Sequence, residues 1–253
     1  LRFALRLGEN GHKTEAIGMC RDLLSPTGPG DPSVAPGAFY EVLKLLDTND
    51  ALDELLAGLG HENPKVRTVA VRAASDLPGA DVTRRLARAL VTLSADQRAP
   101  VVELLRQRGD PAALGFVVQE LNDPDRSVRV AAMAAVGQLG KRDAAAQLIA
   151  FLDKTPEEAD AARSALTIMG DKRLNETLVA SLPEAAPSVR RALLTVLAER
   201  DAPRHRDVFL ASARDTEEGV RHVALKILGS LDDETVVTEL MRLLAETENS
   251  AER

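Results

Sequence analysis

The sequence predicts an all-α fold, a right-handed solenoid of stacked helix pairs, on three observations. The first is composition: alanine, leucine, arginine and glutamate abound, aromatics make up 2% of the 253 residues and tryptophan is absent. Such a chain is rich in helix formers and builds its core from small aliphatics. The second is a helical period, clearest in residues 123–143, DPDRSVRVAAMAAVGQLGKRD, with apolar residues at Val128, Ala131, Ala132, Ala135, Val136 and Leu139. That spacing defines one helix face. The third is recurrence: positions equivalent to Val128 are Ala35, Val66, Gln97, Val128, Glu158, Val189 and Val220, at intervals of 31, 31, 31, 30, 31 and 31 residues. A period in this range marks a solenoid, in which each unit buries its apolar face only against its neighbours.

Taken in order, residues 1–8 (LRFALRLG) match the tail of the reference helix, and a return helix is expected over 14–24, so residues 1–24 read as a partial first repeat. Residues 25–34 form a Pro/Gly loop without the Gly-Lys-Ser/Thr ending of a phosphate-binding loop. Regular repeats fill residues 35–232, each first helix carrying small or apolar side chains at the reference offsets: Val69, Ala70, Ala73, Ala74 and Leu77 in one, Val223, Ala224, Ile227, Leu228 and Leu231 in another. Shorter second helices are expected over 82–90, 111–121, 144–152 and 233–244. Residues 233–253 then form a terminal helix and tail. In the reference repeat Asp123 and Pro124 supply an N-cap and a first-turn proline, and Gly140 a left-handed stop. The expectation for residues 1–253 is a single elongated domain of one leading helix, seven helix pairs and a trailing helix after Asp232. The first residue, Leu1, lies inside a helix pattern, so the sequence reads as a piece excised from a longer protein, and a targeting segment would lie outside it.

The repeated residues include Asn63-Pro64-Lys65-Val66-Arg67, Asp123-Pro124 with Val128-Arg129, Val189-Arg190 and Val220-Arg221, with Gly109-Asp110 and Gly170-Asp171 as endings. In these the chain resembles the HEAT-repeat family, particularly its short bacterial form, also named for bilin lyases, whose repeat reads Asp-Pro-x-x-x-Val-Arg-x-x-Ala and ends in Leu-Gly-Asp. The Trp/Tyr signature of tetratricopeptide repeats and the Thr-Pro-Leu-His of ankyrin are both missing. Gln97 and Glu158 depart from the pattern by placing a polar residue at the valine position, and Ala159 takes the arginine position, so looser junctions are expected there. The resemblance implies that the first helix of each pair lines a concave surface that holds partners.

Arginine follows the reference position in five copies, as Arg67, Arg98, Arg129, Arg190 and Arg221, and acids stand five residues before it at Asp123, Asp153, Glu184 and Asp215. This pairing reads as a staple between repeats. The candidate partner-binding residues lie two, six and ten positions after the reference, off the core face. They are Thr68, Arg72, Asp76, Glu103, Gln107, Val130, Ala134, Gln138, Ser164, Ile168, Arg191, Thr195, His222 and Lys226. Val130, Ala134 and Ile168 form an apolar centre. Arg72, Arg191 and Lys226 are outnumbered along this stripe by Glu41, Asp76, Glu103, Asp160 and Glu199, which disfavours a polyanion and suits a protein with both signs of charge. Arg84, Arg85 and Arg88 form a basic cluster on a return helix and read as a solvated face.

The net charge of −7 gives no global attraction to phosphate backbones. No apolar run approaches the ~20 residues of a membrane span. Cys20, the only cysteine, packs as a small hydrophobe and fits a reducing, cytoplasmic setting. Four scattered histidines make no metal-ligand set, His61-Glu62 has no second pair for a di-iron centre, and no Gly-x-Ser-x-Gly elbow is present. Asn175-Glu176-Thr177 matches a glycosylation sequon but falls in a helix. The reading is a noncatalytic, monomeric protein-interaction scaffold, without cofactor, that binds a partner protein or peptide. The alternatives are a nucleic-acid-binding HEAT-like protein and a bilin-lyase-type chromophore attachment subunit.

Overall fold

A computed structural model describes residues 1–25, 33–231 and 233–251. Most of the Pro/Gly loop, Asp232 and the last two residues of the tail lie outside the described residues. By its contacts the chain divides into two compact units, Leu1–Ala135 and Val136–Arg253.

The described residues hold sixteen α-helices. In the first unit α1 (Arg2–Glu9) and α2 (Lys13–Leu24) precede α3 (Ala35–Leu45), α4 (Thr48–Leu59), α5 (Pro64–Ser75), α6 (Ala80–Ala89), α7 (Ala95–Arg108) and α8 (Leu114–Gln119). The unit boundary falls within α9 (Arg126–Leu139). The second unit continues with α10 (Ala145–Ile149), α11 (Pro156–Ile168), α12 (Leu174–Ser181), α13 (Pro187–Asp201), α14 (Arg206–Ser212), α15 (Glu218–Leu228) and α16 (Glu234–Ala251).

Odd-numbered helices from α3 onward carry the reference positions and even-numbered ones return. In the first unit α5 packs between α3 and α7, while α6 packs between α4 and α8; in the second, α13 packs between α11 and α15. First helices thus stack on first helices. Arg206 on α14 reaches Asp233 and Thr235 at the start of α16, so the helix expected as a separate trailing element takes the second place of the seventh pair. The return helices are short because 3-10 turns at Pro111–Ala113, Glu120–Asn122 and Arg142–Ala144 replace their ends.

The buried positions follow from this two-sided packing. From α5 onward residues four and eight after the reference are buried, among them Ala70 and Ala74, Ala132 and Val136, Leu193 and Leu197. Residues three after it are half-buried in most copies, as at Val69, Ala131 and Ala192, while Ala38 is buried and Pro100 exposed. In three copies the fifth position is buried as well: Val102, Met133 and Leu194, which the sequence pattern passes over. Alanine at the contacts lets helices approach closely, and glycine closer still: a Cβ added at Gly137 would stand 2.6 Å from Ala165 Cα. Ala4, Cys20, Ala38 and Val42 form the core of the leading helices, and burial pushes the Cys20 thiol pKa up.

The arginine staple is present. Arg67, Arg129 and Arg221 each donate Nη1 to two carbonyls of the turn before their own helix, His61 and Glu62, Asp123 and Pro124, and Asp215 and Thr216. The other amino group reaches the acid of the next repeat: Arg67 to Asp96 at 3.1 Å, Arg98 to Asp123 at 2.9 Å and Arg190 to Asp215 at 2.9 Å. The acids also cap, since Asp123 accepts from Asp125 N and Asp215 from Glu217 N. The cap of α9 is nevertheless Asp125, which accepts from Ser127 N at 2.7 Å. Asp123 and Pro124 form the turn before it. Gly140 is not left-handed, whereas Gly109, φ 64, ends α7 that way; Gly140 is needed because its Cβ would press on the Val136 carbonyl.

At the two departures from the valine pattern the polar residues form caps. Gln97 closes a capping box with Ser94 and also donates to Gly60 O, a bond to the preceding repeat. Glu158, only 4% exposed, accepts from the Thr155 hydroxyl, and Thr155 Oγ1 accepts from Glu158 N. The looser junction expected at Gln97 thus carries a hydrogen bond of its own.

Two further arginines clamp the repeats. Arg108, at the end of α7, donates Nη1 to the carbonyls of Ala74 and Leu77, Nη2 to Gly79 O and Nε to Thr83 Oγ1. Arg200, at the end of α13, donates Nη1 to Leu166, Thr167 and Met169, Nη2 to Asp171 O and Nε to Asn175 Oδ1. Each guanidinium supplies donors to the orphan carbonyls at the end of the preceding first helix, where a cation also suits the helix dipole.

Candidate functional site

The offsets two, six and ten fall between the buried positions of each first helix, and most of the expected stripe is open. In the first unit Thr68, Arg72, Asp76 and Gln107 are exposed, while Glu103, Val130 and Ala134 are half-buried. In the second, Gln138, Ser164, Ile168, Arg191, His222 and Lys226 are exposed and Thr195 is half-buried. Ile168 stands 59% exposed, clearly more open than Val130 or Ala134.

The stripe's electrostatics differ from a count of its charges. Glu41 is held by Lys44 at 3.2 Å, and Glu199 by Arg163 at 2.7 Å and by the Thr167 hydroxyl. Arg163 also lies 3.7 Å from Asp160. Glu103 takes Arg106 and Gln107, and the Arg106 hydrogen bond holds its carboxyl below the usual range. Arg72, Arg191 and Lys226 have no ionic partner among the described residues. Most of the acids are therefore neutralised by neighbours off the stripe, and the excess of acids does not make a repulsive face.

Two grooves flank α5 in the first unit. Between α5 and α7 lies one of about 330 Å³, lined by Leu59, Pro64, Arg67, Thr68, Val71, Asp96, Gln97 and Pro100. Between α3 and α5 lies one of about 470 Å³, lined by Tyr40, Val69, Arg72, Ala73 and Asp76. Tyr40 is 52% exposed, with Lys44 Nζ 5.7 Å from its ring centroid. Tyr40, Val71 and Pro100 escape the stripe pattern because a groove wall is made by two repeats at different offsets. Pro100 carried a signal nonetheless, being a proline inside a helix.

Other candidates resolve into architecture. Arg84 and Arg85 pair with Asp81 and Asp53, which neutralises much of that basic cluster. His61 accepts from Asn63 N through Nδ1 and lies 3.1 Å from Leu24 O through Nε2, so its ring is occupied within the turn. Asn175 of the sequon is half-buried and bonded to Arg200 and His205. Burial holds the His205 pKa below its ordinary value. Among the described residues no three His, Cys, Asp or Glu side chains group as metal ligands, and no helix is long and apolar enough to cross a membrane.

A family model of HEAT repeats matches residues 92–167 and 175–253. No curated protein matches the chain. The matched segments cover more than half of the sequence and contain the stapling arginines Arg98, Arg129, Arg190 and Arg221. The chain therefore belongs to the HEAT-repeat family.

Proposed function

We propose that the chain is a noncatalytic scaffold that holds a partner protein or peptide on the exposed side of its first helices, the side the family resemblance makes concave. The single observation that carries this reading is the stripe itself, most of whose side chains stand open while the core-face positions beside it are buried. Arg72, Arg191 and Lys226 offer unpaired charge, and Ile168 offers apolar area. A few such anchors carry most of the energy of a protein interface. The constant repeat spacing supports treating residues 1–253 as one array.

The test is affinity capture with the chain, followed by titration of the captured protein against Ile168→Glu and Arg191→Glu variants. Both residues are exposed, so circular dichroism should stay unchanged. Affinity is expected to fall about tenfold or more in at least one variant; unchanged affinity in both, and in Arg72→Glu as well, sinks the assignment. A parallel salt titration with duplex DNA separates the nucleic-acid alternative, because phosphate contacts produce a steep salt dependence.

A further inference from the structure

The α3–α5–α7 face of the first unit carries more information about its occupant than the rest of the stripe. Its two grooves lie on either side of one helix, and the exposed residues Thr68, Arg72 and Asp76 form the ridge between them. The charges around them are spent. Arg67 is bound to Asp96, Glu41 to Lys44, and Glu103 to Arg106. Arg72 has no ionic partner, while Asp76 lies 3.3 Å from the Ser75 hydroxyl. An unpaired guanidinium between two part-apolar clefts matches a carboxylate flanked by apolar side chains.

Pro100 points the same way. It sits inside α7 and lines the α5–α7 groove together with Asp96. Proline has no N–H for the carbonyl four residues earlier, here that of Asp96, and inside a helix it costs about 3 kcal/mol. The carbonyl it leaves without that helical donor can accept from a backbone N–H of a bound chain.

We infer that this face binds an extended protein segment carrying two apolar side chains three or four residues apart with an aspartate or glutamate between them. Adjacent helix axes lie 8–10 Å apart as a rule, roughly the separation of the clefts on either side of one helix. An extended or polyproline-II chain rises about 3.1–3.4 Å per residue, so three or four residues bridge that distance. The acidic residue then meets Arg72 on the ridge. This inference rests on the scaffold reading and names the partner's chemistry.

A random peptide display library, panned against the chain and against its Arg72→Glu and Thr68→Trp variants, tests it. Both positions are exposed, and helicity by circular dichroism checks that each variant folds. The expected result is enrichment on the chain of sequences with two apolar residues at the stated spacing and an acid between them. Representative members should lose about tenfold or more in affinity on both variants. Enrichment of lysine- or arginine-rich sequences, equal binding to the variants, or no enrichment overturns the inference. If selected peptides are instead lost on Ile168→Glu or Arg191→Glu, the scaffold reading stands and this placement fails; if no stripe variant matters, both fail.

Discussion

Arg108 in the first unit and Arg200 in the second occupy the same place in their repeats, eleven residues after Gln97 and Val189. Their partners are also equivalent. Arg108 reaches residues 74, 77, 79 and 83, and Arg200 residues 166, 169, 171 and 175, which stand eight, eleven, thirteen and seventeen after the preceding reference. The difference lies at the last partner. Thr83 is buried, lies 3.4 Å from Gly79 O through its hydroxyl and also hydrogen-bonds the Asp110 carboxylate, whose pKa the Ala112 N–H and then Thr83 hold below its ordinary value. Asn175 instead passes on to His205 Nε2 at 2.8 Å. With Oδ1 occupied by Arg200, Asn175 donates through Nδ2, so His205 Nε2 must be an unprotonated acceptor. The same clamp thus ends on a carboxylate that stays ionised through the neutral range in one unit and on an imidazole in the other.

The largest effect should come from removing the clamps. Arg200→Ala leaves at least three carbonyls at the end of α11 and the Asn175 oxygen without their donor, and Arg108→Ala does the same for α5 and Thr83. Each should lose about 3 kcal/mol or more in urea unfolding, on the cost of unmet buried acceptors. Hydrogen exchange should localise the loss to α11–α13 in one variant and α5–α7 in the other. A loss below about 0.5 kcal/mol in both would reduce the guanidiniums to surface contacts.

The pH dependence should then separate the units. Burial lowers the folded-state pKa of His205 first; Arg204 and Arg200 lower it further, while Asp201 raises it. A depressed folded pKa means that the neutral ring contributes stability above its unfolded value, about 6.5, and that this is lost as pH falls through the folded value. Protonation also removes the acceptor for Asn175. Hydrogen exchange in α11–α13 should accelerate relative to α5–α7 as pH falls below about 6, after correction for intrinsic rates, by an amount equivalent to about 1 kcal/mol or less. His205→Gln, which keeps an acceptor and does not titrate, should remove the difference; persistence in that variant would assign it elsewhere.

These clamps show which part of the molecule was legible in the sequence. The period, the buried alanines at 70, 74 and 132, and the staples from Arg98 and Arg190 follow from one repeat compared with the next. Arg108 and Arg200 were visible as the two arginines in a column otherwise held by Leu46, Leu77, Leu139, Met169 and Leu231. Their role was not, because the acceptors are backbone carbonyls, which any sequence supplies. The grooves beside α5 were hidden for a related reason: Tyr40 meets Val69 and Arg72 in one, and Val71 meets Pro100 in the other, each across two repeats and only through packing. Burial of Val102, Met133 and Leu194 was missed because a one-face helix template allows one neighbouring layer, whereas a stacked helix has partners on both flanks.

The smallest predicted effect compares the two capped departures. Ser94 and Thr155 cap α7 and α11 with the same three-residue spacing to Gln97 and Glu158, a Ser/Thr-x-x-Gln/Glu pattern already present in the sequence. Gln97 is half-buried and has a second acceptor in Gly60 O, so Ser94→Ala should cost about 1 kcal/mol, the usual value of an N-cap. Glu158 is buried, and Thr155→Ala removes both the cap at its N–H and the hydroxyl donor at its carboxylate. That variant should lose about 2 kcal/mol, since a buried carboxylate loses a charge-assisted bond as well. Glu158→Gln in the Thr155→Ala background should recover part of the loss by removing the charge. If the two alanine variants prove equally stable, Glu158 draws its support from elsewhere, and the caps at Gln97 and Glu158 are equivalent in energy as well as in spacing.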